Sequence, residues 1–166
     1  MARLELLQHI AAPVNEVAAF FVPQRMPYWY GVEIQARFEL SDGDADFRAG
    51  QKVRITGLVG QREVSLTAVV TRYEFGCLLE WRFQDAAGVR GLQSWELVPV
   101  LIPAGPSAGD AASADAAAAH TRVVMRDEYE MPGRVGHLLD RVFTRFAVAR
   151  RDRDALGRLA RLAERR

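Results

Sequence analysis

The stretch at residues 132–164, PGRVGHLLDRVFTRFAVARRDRDALGRLARLAE, has the pattern of one long amphipathic helix. Apolar residues recur in it mostly at three- and four-residue steps, while Arg, Asp and Glu fill the other positions. Pro132 is well placed in a first helical turn, where a missing N–H costs nothing. At 1.5 Å per residue this helix would be roughly 48 Å long, so we expect a bend or a frayed end at residues 150–154, where the apolar stripe lapses. One face of the helix therefore needs a surface to pack on.

The upstream sequence has the alternation of apolar and polar residues that is typical of half-buried strands. The segment 30–40 alternates most cleanly, whereas the strand that begins at Glu63 does not keep one phase, which predicts a bulge. A run of consecutive strands implies an antiparallel meander with the long helix on its concave face. The predicted strands lie at residues 2–11, 30–40, 51–59, 63–74, 77–84, 89–102 and 121–131, and a short helix at residues 14–21 follows the first strand.

Composition describes an ordinary globular protein. The 166 residues predict a single domain, 1–166, and the formal net charge of +1 does not indicate a nucleic acid partner. No segment has the roughly 20 apolar residues of a membrane span and the N-terminus lacks a signal-peptide profile, which predicts a cytoplasmic location. The single cysteine, Cys77, excludes an internal disulfide and precedes two leucines, so we expect a buried, inert thiol. Residues 103–119 are rich in Ala, Gly, Ser and Pro and predict a disordered insertion in the loop between the last two strands.

A set of motifs is distributed along the chain outside the insertion. It consists of the segment 10–17 (IAAPVNEV), Phe20, Phe21, Gly50, Val53, Trp81, Phe83 and the segment 128–136 (EYEMPGRVG) leading into Leu138, Leu139 and Asp140. Together these motifs resemble the START-like, helix-grip superfamily, also called SRPBCC, and in particular its polyketide cyclase/dehydrase and lipid-transport group, which includes coenzyme Q-binding-like proteins. The resemblance covers nearly the whole chain except the insertion. It implies an α+β fold in which a curved seven-stranded antiparallel sheet wraps around a long C-terminal helix and leaves a deep cavity for a hydrophobic ligand.

The predicted function is therefore the binding or transport of a small hydrophobic ligand, such as a polyketide, an isoprenoid quinone or a lipid. An inner sheet face that mixes bulky aromatics with isolated polar groups favours a cavity over a dry core. Some of the aromatics can equally fill plain core between sheet and helix. The candidate ligand-binding residues are Trp29, Tyr30, Trp81, Phe83, Gln93, Trp95, Met125, Leu139 and Phe143.

A polyketide cyclase or dehydratase is the alternative. Asp127 has inward phase on the last strand, and burial would raise its pKa and suit it to general acid–base catalysis, with Tyr129 and Gln93 orienting a carbonyl. Two structural explanations compete: a bulge that reverses the phase, or an ion pair between Asp127 and Arg134 or Arg141.

The remaining patterns indicate little further chemistry. The three histidines are widely separated, so no metal site is predicted, and no cofactor-binding motif is present. Residues 145–166 carry eight arginines against three acids, about +5 net, which suits either a solvated helix face or transient contact with an anionic membrane. An interaction module, for example half of a dimer that uses this basic end or the insertion, is a third possibility, and the sequence does not indicate an oligomeric state.

Overall fold

The computed structural model of the protein describes residues 2–43, 46–102, 118–132 and 145–165. Within these ranges the chain has seven strands, a short helix after the first strand and a long C-terminal helix, which is the predicted α+β helix-grip architecture. Two short 3₁₀ turns, Met26–Tyr28 and Val32–Ile34, precede the second strand. The elements are β1 (Ala2–Ile10), α1 (Val14–Ala18), β2 (Arg37–Leu40), β3 (Lys52–Val59), β4 (Arg62–Glu74), β5 (Leu78–Asp85), β6 (Arg90–Ile102), β7 (Ala118–Glu130) and α2 (Arg145–Ala163).

The described strands form one antiparallel sheet in the order β1-β7-β6-β5-β4-β3-β2. Strands β2 to β7 are neighbours in chain order, and β1 pairs with β7 at the edge opposite β2. The predicted bulge in β4 is present as a register shift between Val70 and Arg72. Strands β6 and β7 pair as far as Ile102 and Ala118, so the insertion does join these two strands, while residues 103–117 lie outside the described residues.

The second strand is much shorter than its alternation predicts. Gly31 and Gln35 both adopt positive φ, 72° and 52°, and the Ala36 amide donates to the Gly31 carbonyl, so residues 31–36 form a tight loop instead of a strand. The loop packs on β3 closely enough that a Cβ at Gly57 would lie 2.6 Å from the Ile34 carbonyl oxygen. Alternation alone was misleading here because it reports which residues face inward, and a packed loop can produce the same pattern.

Helix α2 packs on β1 and α1 with a stripe of buried side chains. It is continuous from Arg145 to Ala163, so the helix does not fray at residues 150–154, and the expected bend there stays a prediction. The apparent lapse in the stripe is filled by Asp152, whose side chain is fully buried. The predicted helix start at Pro132 stays a prediction, because residues 133–144 lie outside the described ranges.

Aromatic rings fill the core between sheet and helix. Trp81 and Trp95, on neighbouring strands, meet edge to face with ring centroids 4.8 Å apart, and Trp29 meets Trp95 at 6.1 Å. The Trp29 indole Nε1 donates to the Phe20 carbonyl at 2.9 Å, which ties the loop after α1 to the core. Edge-to-face ring pairs of this kind add specific geometry to a large buried apolar area.

The prediction for Cys77 was wrong. The thiol is exposed, because strand β5 begins one residue later, at Leu78, and Cys77 belongs to the turn between β4 and β5. Partial desolvation and the neighbouring Glu74 carboxylate raise the pKa of the Cys77 thiol, which disfavours the reactive thiolate.

Candidate functional site

A cavity of about 480 Å³ lies between the inner sheet face, the loop at residues 31–36 and helix α2. This volume falls within the usual range for small-molecule sites. Its apolar wall is formed by side chains from three different parts of the chain. The polar and charged lining residues are Tyr30, Glu33, Arg62, Glu63, Ser65, Asp85 and Arg151. The apolar lining residues are Ile34, Ala36, Ile55, Val64, Leu66 and Ala155.

The predicted ligand-binding residues fall into distinct environments. Tyr30 lines the cavity. Phe83 instead borders a second concavity, described below. Leu139 and Phe143 lie outside the described residues. The buried members, at most 1% exposed, are Trp29, Trp81, Gln93, Trp95 and Met125.

Tyr30 connects the cavity wall to the polar groups behind it. Its hydroxyl donates to the Gln93 side-chain oxygen at 2.7 Å. Burial raises the pKa of the Tyr30 hydroxyl well above its ordinary value, with further contributions from Asp152 and Asp127, so the hydroxyl stays protonated. The loop that carries Tyr30 is held by Arg158 of α2, whose Nε donates to the Trp29 carbonyl at 3.0 Å.

Asp127 is buried behind this wall, with 2% of its surface exposed. Strand β7 is regular where it pairs with β1 and β6, so no bulge reverses its phase, and Gln93 is the residue directly opposite Asp127 on β6. Tyr129, two residues along β7, is also buried. The sheet thus brings Asp127 beside Gln93.

Helix α2 adds a second buried carboxyl and a guanidinium. Arg151 Nε donates to Asp152 Oδ1 at 2.9 Å. Its Nη2 lies 2.8 Å from the same oxygen and 3.9 Å from Asp127 Oδ2. The predicted alternative partners of Asp127, Arg134 and Arg141, lie outside the described residues.

The two carboxyls are coupled. Burial, the Asp152 charge and a hydrogen bond to Asp152 together raise the pKa of Asp127 to about 7, against the opposing effect of Arg151. Burial also raises the pKa of Asp152. Asp127 Oδ1 and Asp152 Oδ2 receive no hydrogen bond from any described donor, and two carboxylates can only accept. A proton on Asp127 supplies the missing donor, so the pair titrates as a unit.

Sequence reasoning missed Arg151 and Asp152, which it assigned to a solvated basic helix end. A signal was present, because Asp152 lies four and seven residues before the apolar positions Leu156 and Leu159. That spacing places it on the buried stripe of the helix. The inward-phase criterion that selected Asp127 on a strand would have selected Asp152 on the helix.

A larger groove, of about 740 Å³, lies on the other side of the sheet. Most of its lining residues have outward phase on β4 to β7, among them Thr67, Arg82 and Glu128, and the charged pair Arg90–Glu130 crosses it at 3.0 Å. Phe83 and Tyr129 border it. Charged residues line both sites, but the groove is the more open of the two and therefore suits an apolar ligand less well than the inner cavity.

Other site types find little support in the part of the chain that the structure describes. No group of three or more His, Cys, Asp and Glu side chains there has the geometry to hold a metal ion. None of the described helices has the length and apolar character needed to cross a membrane.

Comparison with protein families agrees with the fold. The model of a family described as polyketide cyclase/dehydrase and lipid transport matches residues 1–164. The chain belongs to this family. It is the group that the sequence motifs resemble. No protein with a curated description matches the sequence.

Several solved structures of low sequence identity share the fold of this protein. CV1439 from Chromobacterium violaceum is 15% identical over 99% of this chain and 98% of its own, with a TM-score of 0.64. A protein from Arthrobacter aurescens, solved by solution NMR, is 14% identical over 97% and 85%, with a TM-score of 0.65. DynU16, a protein in the dynemicin biosynthetic locus, is 22% identical over 98% of this chain, with a TM-score of 0.61, and this chain spans 47% of its length. Such identities establish the fold and leave the ligand to the site itself.

Proposed function

We propose that the protein binds or transports a small hydrophobic molecule, of the polyketide, isoprenoid quinone or lipid class, in the cavity between the sheet and α2. The observation that carries the proposal is the cavity of about 480 Å³ with its apolar wall. Burial of an apolar ligand there would contribute roughly 25 cal/mol per Å² of apolar surface removed from water. Membership of a family described by lipid transport supports the same function.

The first experiment is native mass spectrometry of the purified protein, followed by organic extraction and identification of the molecules that co-purify. A stoichiometric hydrophobic molecule supports the proposal. A ligand-free protein whose melting temperature does not shift with quinones, lipids or aromatic polyketides contradicts it, because a ligand that binds the native state must stabilise it.

Two neighbouring residues on β4 offer a matched pair of variants that locates the site. Leu66 lines the inner cavity and Thr67 lines the outer groove. Leu66→Trp should fill part of the cavity and weaken ligand binding, while Thr67→Trp adds the same ring on the other face and should leave binding unchanged. The reverse result would place the ligand in the outer groove.

An acid–base enzyme of the cyclase or dehydratase type is the second candidate, and the buried Asp127 with its pKa of about 7 favours it. In that function Asp127 would transfer the proton, and Gln93 and Tyr129 would orient the reacting carbonyl. Asp127 stands behind Arg151 and does not itself line the inner cavity, so this mechanism also requires the cavity to extend toward it when substrate binds. The binding function does not require such a change and is therefore preferred.

Asp127→Asn separates the two functions once the ligand has been identified. A carrier should bind its ligand as the wild type does, whereas an enzyme that uses Asp127 should lose turnover by about 10² to 10⁴. Asp154→Asn, at an exposed position of α2, is the control and should change neither binding nor turnover.

The proposal also includes a cytoplasmic location and contact with an anionic membrane through the basic helix end. Arg151 and Arg158 turn inward to Asp152 and Glu33, so the membrane contact would depend on the exposed arginines, such as Arg153. Sedimentation with anionic vesicles, and its absence with neutral vesicles, would support the contact. Equal sedimentation of Arg153→Gln and wild type would show that this arginine has no part in it.

A further inference from the structure

Arg151 has two environments at once. Its side chain borders the inner cavity together with Tyr30 and Ala155, and 42% of that side chain is exposed. The inner edge of its guanidinium contacts the fully buried Asp152. The residue therefore reaches from the buried acid pair to the space that a ligand would occupy.

The guanidinium retains donors that no described residue uses. A guanidinium has five N–H groups in a planar fork. Nε donates to Asp152 Oδ1, Nη2 lies within ion-pair distance of the same oxygen, and Nη1 makes no hydrogen bond to any residue that the structure describes. A donor edge at the wall of an apolar cavity is the type of isolated polar group that fixes the orientation of a ligand.

The charges around Arg151 decide whether an anionic ligand oxygen can approach it. Burial and the neighbouring Asp152 raise the pKa of Asp127 to about 7, so the Arg151 guanidinium faces the Asp152 carboxylate and an Asp127 carboxyl that holds its proton more strongly than usual. Three other carboxylates line the cavity: Glu33, which Arg158 binds at 3.1 Å, Asp85, whose Oδ1 accepts from the Ala87 and Val89 amides, and Glu63. Arg151 forms no ion pair with any of these three in the described structure, so it presents a cationic donor to a ligand oxygen that approaches Nη1.

We propose that Arg151 binds an acidic oxygen of the ligand, so that the preferred ligand is an apolar molecule that carries one carboxylate or enolate group. This inference rests on the proposed function and specifies its ligand class. The apolar part of the ligand lies against Ile34, Ile55 and Leu66, and the oxygen lies at the Arg151 end of the cavity.

A fluorescent ligand pair tests the inference: cis-parinaric acid and its methyl ester, which differ only in the acidic group. A charge-assisted hydrogen bond predicts that the wild type binds the acid about 10- to 100-fold more tightly than the ester. In Arg151→Gln this ratio should fall to about one. Arg153→Gln, which removes an exposed arginine two residues away, is the matched control and should keep the wild-type ratio.

Arg151→Gln leaves buried carboxyls without their cation and can unfold the protein for that reason alone. The double variant Arg151→Gln/Asp152→Asn removes both charges of the ion pair and keeps the measurement possible. A ratio near one in this variant, with ester binding retained, supports the inference.

The possible failures are distinguishable. Equal binding of acid and ester by the wild type, or an unchanged ratio in both Arg151 variants, overturns the role of Arg151 and leaves the hydrophobic-ligand function standing. Failure of both probes to bind the wild type contradicts the occupation of the cavity by a molecule of this kind, and the inference falls with it.

Discussion

Replacing Asp127 by Asn should remove a pH dependence of stability that the buried acid pair creates. The pKa of Asp127 rises from an ordinary 3.8 to about 7 in the folded protein, mainly because burial penalises the charged form. Between these two values the unfolded chain releases the proton and the folded protein keeps it. Unfolding therefore releases a proton, and stability decreases as pH rises until it levels off above about pH 7.

The magnitude follows from the same two pKa values. At about 1.36 kcal/mol per unit of pKa, the full difference is about 4 kcal/mol, of which about 2.5 kcal/mol should be lost between about pH 5 and about pH 8. Because the proton is shared, this change belongs to the Asp127–Asp152 pair. The charged and titratable groups that face the pair are Arg151 on α2, Tyr30 and Glu33.

The assay is urea unfolding at a series of pH values, followed by the fluorescence of the buried tryptophans Trp29, Trp81 and Trp95. Asp127→Asn cannot ionise and can still donate to Asp152 through its amide, so its free energy of unfolding should decrease by about 2.5 kcal/mol less than that of the wild type over this pH range. The exposed variant Asp154→Asn should follow the wild-type slope. Parallel wild-type and Asp127→Asn curves would refute the shared proton.

Two further changes test how the fold supports the site. Arg158→Met removes the hydrogen bond to the Trp29 carbonyl and the ion pair with Glu33. It should therefore destabilise the protein by about 1–3 kcal/mol in urea unfolding and speed hydrogen exchange at residues 29–35. Unchanged exchange there would show that Arg158 does not hold the loop. Gly157→Ala should raise stability by up to about 1 kcal/mol, because the added Cβ meets no described atom closer than 3.7 Å in the helix. Gly91→Ala should lower stability by several kcal/mol, since its Cβ would lie 2.2 Å from a backbone oxygen. A lower melting temperature for Gly157→Ala, or an unchanged one for Gly91→Ala, would contradict these contacts.

The sheet, the helix and the inward phase of Asp127 could be predicted because each depends on a local repeat. Alternation along β6 and β7 correctly placed Gln93 and Asp127 on the inner face, and the three- and four-residue steps predicted the C-terminal helix. The same local reasoning failed at residues 31–36, where a packed loop has the burial pattern of a strand. It also failed at Cys77, where a difference of one residue in the strand start moves the thiol from core to surface.

The composition of the site was decided by tertiary structure. A repeat shows which face a residue occupies, but it does not show which residue of a distant element lies opposite, and Asp127 meets Asp152 and Arg151 only through the axial position of α2 on the sheet. The same packing decides that Trp81 and Trp95 fill the core while Tyr30 lines the cavity. Sequence by itself thus determined the fold class and the inward carboxylate of β7. Only the packing of helix on sheet determined its partners, because a buried charge takes its pKa from the groups that surround it in space.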